Sequence, residues 1–193
     1  MLAEQLLRNT YEIEQSFLDK ILKPYHPTDT DYLKSTHINL NTTHIKDAPI
    51  LTTIGRFNIS RSCYIKDTGH FNAVEFLICF NQLAYATFGH MINSRFFDSN
   101  SINGVTPQCK EIMANISIET YFDKQLSSML ILKTTTRFKR TIDAKLFTGM
   151  FSVNKFSYKK NILFISTSCI FRDDNKGYAE GDVLLAYPLN FSN

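Results

Sequence analysis

The sequence has no tryptophan and no Cys-x-x-C pair. It also has no apolar run long enough to span a bilayer free of charged and polar groups. Cys63, Cys79, Cys109 and Cys169 stand far apart, so a disulfide framework is not expected and a reducing, cytoplasmic location is. His26, His37, His44 and His90 show no metal-ligand spacing, so neither a metal nor another cofactor is expected. The net charge is only +3, and apart from Arg137–Arg140 the basic residues are scattered, which argues against nucleic acid as a partner. The first residues are acidic and periodic, unlike a signal peptide. Internal repeats, heptads and low-complexity linkers are missing too.

What remains is a 193-residue chain, 44% hydrophobic and 20% charged, long enough for one well-packed domain. Its 16 phenylalanines and 9 tyrosines favour an aromatic core over an acyl-lined tunnel.

The longest apolar segment is Thr68–Phe88, and it has a polar entrance, Gly69-His70-Phe71-Asn72. Asn72 followed three residues later by Glu75 has the spacing of a capping box. With no Pro or Gly from Ala73 to Phe88, a helix of about four turns is predicted. Leu77, Phe80, Leu83, Ala84 and Ala86 place apolar or small groups on nearly every face, which predicts burial all round. Free N–H groups and the helix dipole make its start a candidate anion or carbonyl site.

Before this helix, Ala3–Leu22 carries helical periodicity that ends ahead of Pro24, and Lys23–Pro27 reads as a stiff turn that fixes Tyr25. Alternation over Leu33–Ser62 predicts two strands joined near Asp47-Ala48-Pro49, and Ser62–Lys66 reads as a short third strand. After it, Gly89–Val105 reads as a helix exit and loop, and Ser117–Gln125 as a short helix. Four strands follow, Ser128–Phe138, Leu146–Tyr158, Asn161–Phe171 and Tyr178–Leu189, expected as an antiparallel meander. This order predicts an α+β hot-dog fold, a curved antiparallel sheet wrapped round one long central helix. Residues 1–193 would form a single domain with an N-terminal helical extension over about 1–30.

The run Tyr64–Glu75 with Cys79–Tyr85 resembles the FcoT-type fatty-acyl thioesterase family of hot-dog proteins. Gln125–Ile131, Arg137-Phe138 and Pro24-Tyr25 also resemble that family. The resemblance implies an enzyme acting on a long- or medium-chain acyl thioester of acyl carrier protein or coenzyme A, assembled as a homodimer or higher oligomer. It further implies addition of glycine to a 2-enoyl thioester, thioester hydrolysis, or both, releasing a 3-[(carboxymethyl)amino] fatty acid, as in isonitrile lipopeptide biosynthesis. A plain acyl-CoA thioesterase is the nearer alternative. The family site of two tyrosines and an asparagine falls on Tyr25, Tyr64 and Asn72. One departure follows Tyr25, where His26-Pro27-Thr28-Asp29 replaces the family's cysteines and bears on entrance shape or acyl length.

The residues themselves suit non-covalent chemistry, since the motif offers no Ser or Cys nucleophile paired with a base, although Cys63 adjoins Tyr64. The amides of Ala73 and Val74 could receive a carbonyl oxygen, Asn72 could orient water or that carbonyl, and either tyrosine could hydrogen-bond at the same centre. Glu75 reads equally as cap and as buried catalytic carboxylate, Asn81 and Gln82 read as buried interface hydrogen-bonding groups, and Ala73, Val74, Glu75 and Asn81 are the candidate substrate-binding residues. His70 precedes the helix as the base does in hot-dog hydroxyacyl dehydratases, and otherwise makes a structural bond at the helix entry. Lys66, Arg137 and Lys139 are all candidates for a glycine carboxylate.

Overall fold

The computed structural model describes residues 10–40, 48–66, 69–98, 102 and 104–189. The seven strands are β1 (Thr10–Glu12), β2 (Leu33–Leu40), β3 (Leu51–Phe57), β4 (Leu130–Arg140), β5 (Phe147–Lys159), β6 (Ile162–Arg172) and β7 (Tyr178–Pro188). They form one antiparallel sheet in the order β1-β2-β3-β5-β6-β7-β4. The helices are α1 (Gln15–Leu22), α2 (Ala73–Asn93), α3 (Pro107–Ala114) and α4 (Ile118–Ser128).

The sheet wraps round α2. Phe76 near the helix start meets Phe138 of β4, with ring centroids 5.8 Å apart, and Phe171 of β6 at 4.9 Å. Phe80 and Phe88 both pack on Phe151 of β5, and Thr87 Oγ1 donates to Thr53 Oγ1 of β3 at 2.7 Å. One helix touches strands from the β4 edge across to β3, which requires the sheet to curve. Register shifts at Leu33/Ser35, Ile131/Lys133, Phe138/Arg140 and Val153/Lys155 supply local twist for that curvature. The hot-dog architecture expected from the order of elements is present.

Close approach depends on missing side chains. Gly55 and Gly149 are cross-strand partners, and a Cβ on either would come within 2.7 or 2.9 Å of Leu83 on α2. The aromatic residues pack together as a core: Phe71, Phe76, Phe147 and Phe171 make one buried, connected cluster, with the exposed Phe138 of β4 against its outer side.

Five expectations are corrected. Thr10–Glu12 is a strand paired to β2, not part of a helix that runs to Leu22. The earlier residues of that expected helix, like His44 and the Asp67-Thr68 turn, lie outside the described residues. Ser62–Lys66 forms no strand and runs as bends toward α2. The central helix does not exit at Gly89 but continues to Asn93, because a Cβ at Gly89 would sit 3.0 Å from Ile21 and 3.1 Å from Tyr121, so the glycine is there for packing. Burial of α2 is not complete, for Ala73 and Val74 are exposed and Leu77, Ile78 and Asn81 half-buried. Finally, β4 is not the first strand of a meander. It crosses to the far edge and pairs only with β7, leaving β5-β6-β7 as the meander.

The β5–β6 turn is a tight one, with Lys160 and Asn161 both at positive φ, as a type I′ hairpin requires. Helix α3 was not expected at all. Its Thr106-Pro107 start carries a cap in which Thr106 Oγ1 accepts the Cys109 N–H.

Candidate active site at the mouth of the central helix

The Gly-His-Phe entrance divides its work among three residues. Gly69 takes φ +74, a conformation that suits glycine. Phe71 drops into the aromatic cluster, and its N–H donates to Ile142 O at 3.1 Å. His70, between them, is exposed.

Asn72 then caps α2. Its Oδ1 accepts from Val74 N at 3.0 Å and Glu75 N at 3.2 Å, and the Glu75 carboxylate returns the bond by accepting the Asn72 N–H at 3.1 Å. The expected capping box is therefore present, with Glu75 only 2% exposed. A third donor, the Tyr64 hydroxyl, reaches the same Oδ1 at 3.2 Å. Two backbone N–H groups at one atom require that atom to be the oxygen, so the amide orientation is determined. Its Nδ2 is buried and bonds to nothing in the described structure. The Val74 amide, expected to receive a carbonyl, is occupied by the cap, which leaves Ala73 as the helix-start amide outside it.

Tyr25 lies elsewhere along the same helix. The 3₁₀ turn Lys23–Thr28 carries it against α2, with its ring 6.4 Å from that of Tyr85. Burial, with the neighbouring Tyr85 and Cys79, pushes its phenol far up. It stays protonated across the physiological range and can only act as a hydrogen-bond donor or a weak acceptor there. Cys79 is two turns from the cap, roughly 10 Å along the axis. The structure thus joins Tyr64 and Asn72 directly and places Tyr25 deeper on the helix.

Asn81 is half-buried on the outer stripe of α2. Gln82 is a tie within the chain: Oε1 accepts from Leu33 N at 2.9 Å and Nε2 donates to Thr30 O at 2.6 Å. It thereby holds the segment that follows Tyr25. Of the three candidate cations, Lys139 Nζ pairs with Glu180 at 2.9 Å and lies over the Tyr178 ring, while Arg137 approaches the same carboxylate at 4.0 Å. Lys66 is exposed. Among the described residues no His/Cys/Asp/Glu group has the arrangement of a metal site.

Sequence reasoning missed Tyr32. It is buried, its hydroxyl donates to Arg61 O at 3.1 Å, and burial and the adjoining Cys63 thiol push its ionisation up. It holds the 61–63 segment that leads to Tyr64. No local pattern marks it, because its partner is 29 residues away.

A curved antiparallel sheet wrapped round one long helix defines a protein of the hot-dog class. Within that class the chain belongs to the FcoT-like thioesterase family, whose pattern matches residues 20–187. A Mycobacterium marinum protein named (2E)-enoyl-[ACP] glycyltransferase is 33% identical over 180 residues, 92% of this chain and 88% of that one. Its Mycobacterium tuberculosis namesake is 31% identical over the same shares. A Streptomyces coeruleorubidus protein of that name is 25% identical over 90% of this chain and 96% of its own. Among solved structures, a Staphylococcus aureus protein in complex with CoA aligns with a TM-score of 0.40 and 12% identity, covering 68% of this chain and 66% of that one. In the described structure no helix is long and apolar enough to cross a membrane.

Proposed function

We propose that the protein adds glycine to a 2-enoyl thioester of acyl carrier protein or coenzyme A and then hydrolyses the thioester, releasing a 3-[(carboxymethyl)amino] fatty acid. The observation that carries this reading is the buried, unpartnered Nδ2 of Asn72 at the start of α2. An unmet buried donor costs about 1–3 kcal/mol, and a thioester carbonyl oxygen would satisfy it. The atom is covered, so an adjacent group moves when the carbonyl arrives; Tyr64, 51% exposed and holding Asn72 by one bond, is the group placed to do so.

Addition and hydrolysis share that oxygen site. In addition, the neutral amine nitrogen bonds to C3, and the C2=C3 pair moves toward the carbonyl to give an enolate oxygen. Asn72 and the positive end of the helix dipole stabilise that oxygen. The proton lost by nitrogen ends on C2. In hydrolysis, water adds to the carbonyl carbon, the C–S bond breaks and the thiol leaves with a proton. Tyr25, held protonated, is suited to donate a hydrogen bond further along the acyl path. The names of the relatives support the addition step, and the family supports the thioester.

A homo-oligomer also fits. Strand β4 is exposed along its whole length and bears Leu130, Leu132 and Phe138 in the open. The four free cysteines fit a reducing cytoplasm. The direct test is incubation of the purified protein with a 2-decenoyl thioester, with and without glycine, read by mass spectrometry. The expected products are the glycine adduct and its free acid. Free acid alone would reduce the reading to a thioesterase, and a 3-hydroxyacyl product would move the chemistry to His70.

A further inference from the structure

Two segments that are distant in sequence enclose a cleft of about 290 Å³. Pro27, Thr28 and Asp29 form one wall, and Arg61, Ser62 and Cys63 the other. Its volume lies at the small end of the ~300–1,000 Å³ usual for small-molecule sites, so it suits a compact polar molecule and not an acyl chain. Cys63 adjoins Tyr64, whose hydroxyl reaches Asn72, so the cleft neighbours the proposed reaction centre.

Three side chains set its chemistry. Arg61 makes no ion pair with a described residue, and its guanidinium matches a carboxylate bidentately. Its backbone is anchored by the bond from the Tyr32 hydroxyl. Ser62 is only 7% exposed, and its Oγ is buried with no hydrogen-bond partner among the described residues, so a ligand in the cleft reaches it when a neighbouring group moves. Asp29 brings a carboxylate to the opposite wall, at the end of the 3₁₀ turn, where its N–H donates to His26 O at 3.1 Å. A cation and an unmet hydroxyl on one wall and an anion on the other complement the two ends of an α-amino acid. Arg137 and Lys139 offer no comparable arrangement, because both are directed to Glu180.

We propose that this cleft is the glycine subsite, with Arg61 and Ser62 receiving the carboxylate and Asp29 the amino group. The assignment rests on the addition reaction proposed above. It makes Arg61 and Ser62 the residues that select an amino acid over water as the attacking partner.

Cys63 provides a reporter, since it is exposed whereas the other three cysteines are buried. The experiment measures alkylation of Cys63 by iodoacetamide, by peptide mass, and in parallel the glycine dependence of adduct formation. Glycine is expected to slow alkylation at least fivefold in the wild type, and glycinamide, which lacks the carboxylate, to leave it unchanged. Arg61→Gln is expected to abolish protection and raise the glycine KM at least tenfold while the enoyl thioester KM stays within twofold. Ser62→Ala, a smaller change that keeps the backbone, is expected to raise the glycine KM severalfold.

Protection without any adduct would uphold the cleft and overturn the addition reading. Adduct without protection, or an unchanged glycine KM in both variants, would overturn the cleft and uphold addition. Neither adduct nor protection would overturn both.

Discussion

Two amides on the same helix, ten residues apart, behave in opposite ways. Gln82, in the middle of α2, uses both ends of its side chain, binding Leu33 N and Thr30 O. Asn72, at the mouth, receives three donors on its oxygen and leaves its nitrogen with no partner among the described residues. Both are polar groups in an apolar setting, where an unmet bond is costly. The middle of the helix has satisfied its hydrogen-bonding groups and the mouth has not. In the proposed reaction, the capacity left over at Asn72 Nδ2 is what the thioester carbonyl takes up. The arrangement also removes a conflict that the sequence leaves open: the cap uses the oxygen and the proposed carbonyl site the nitrogen, so one side chain serves both.

The comparison breaks most sharply at Asn72→Asp. Aspartate keeps the capping oxygen but buries a second, unpaired carboxylate oxygen beside Glu75, so stability should fall by about 1–3 kcal/mol, and turnover is read per folded molecule. The donor is gone, and turnover should fall about 10²–10³-fold, the usual loss on removing one such donor. A folded Asn72→Asp variant with wild-type turnover would end the proposed role of Nδ2. Gln82→Met should do the reverse. It strands a buried N–H and a buried carbonyl, costing on the order of 2–4 kcal/mol in denaturant melts, while turnover per folded molecule stays within a few-fold. Loss of turnover at full stability would show that Gln82 belongs to the site.

The smallest effect concerns His90, half-buried near the C-terminal end of α2, where burial lowers its pKa below the ordinary 6.5. As pH falls, the unfolded chain takes up this proton first. The stability is therefore complete above pH 6.5 and declines as pH drops below that value toward the folded-state pKa. Melting temperature should drop between about pH 7.5 and about pH 5.5, and His90→Gln should lessen the drop. A larger drop in the variant would reverse the sign and refute the account.

The parts legible in the sequence were those set by neighbours in the chain. Asn72 and Glu75 specify their box by spacing alone, Lys160-Asn161 specifies its hairpin, and alternation locates the long strands. What escaped depends on distant partners. Gly89 reads as a stop unless Ile21 and Tyr121 are known to press on it. Thr10–Glu12 becomes a strand only because β2 offers an edge, and β4 finds β7 after a long excursion. Helix α3 had a readable Thr106-Pro107 start, which the polar run before it obscured. The Arg61–Cys63 cleft needs Pro27–Asp29 across from it, and no window of sequence contains both.

The glycine pair beneath Leu83 bears on where a fatty tail can travel. With Gly55 and Gly149 drawn this close to Leu83, helix and sheet leave no room between them at that level. A tail attached at the mouth is left with the outer side of α2, past exposed Val74 and half-buried Leu77 and Ile78 toward Asn81. In the proposed reaction, discrimination among chain lengths would then rest with that outer stripe. Enlarging either glycine would weaken the fold without lengthening or shortening the preferred lipid.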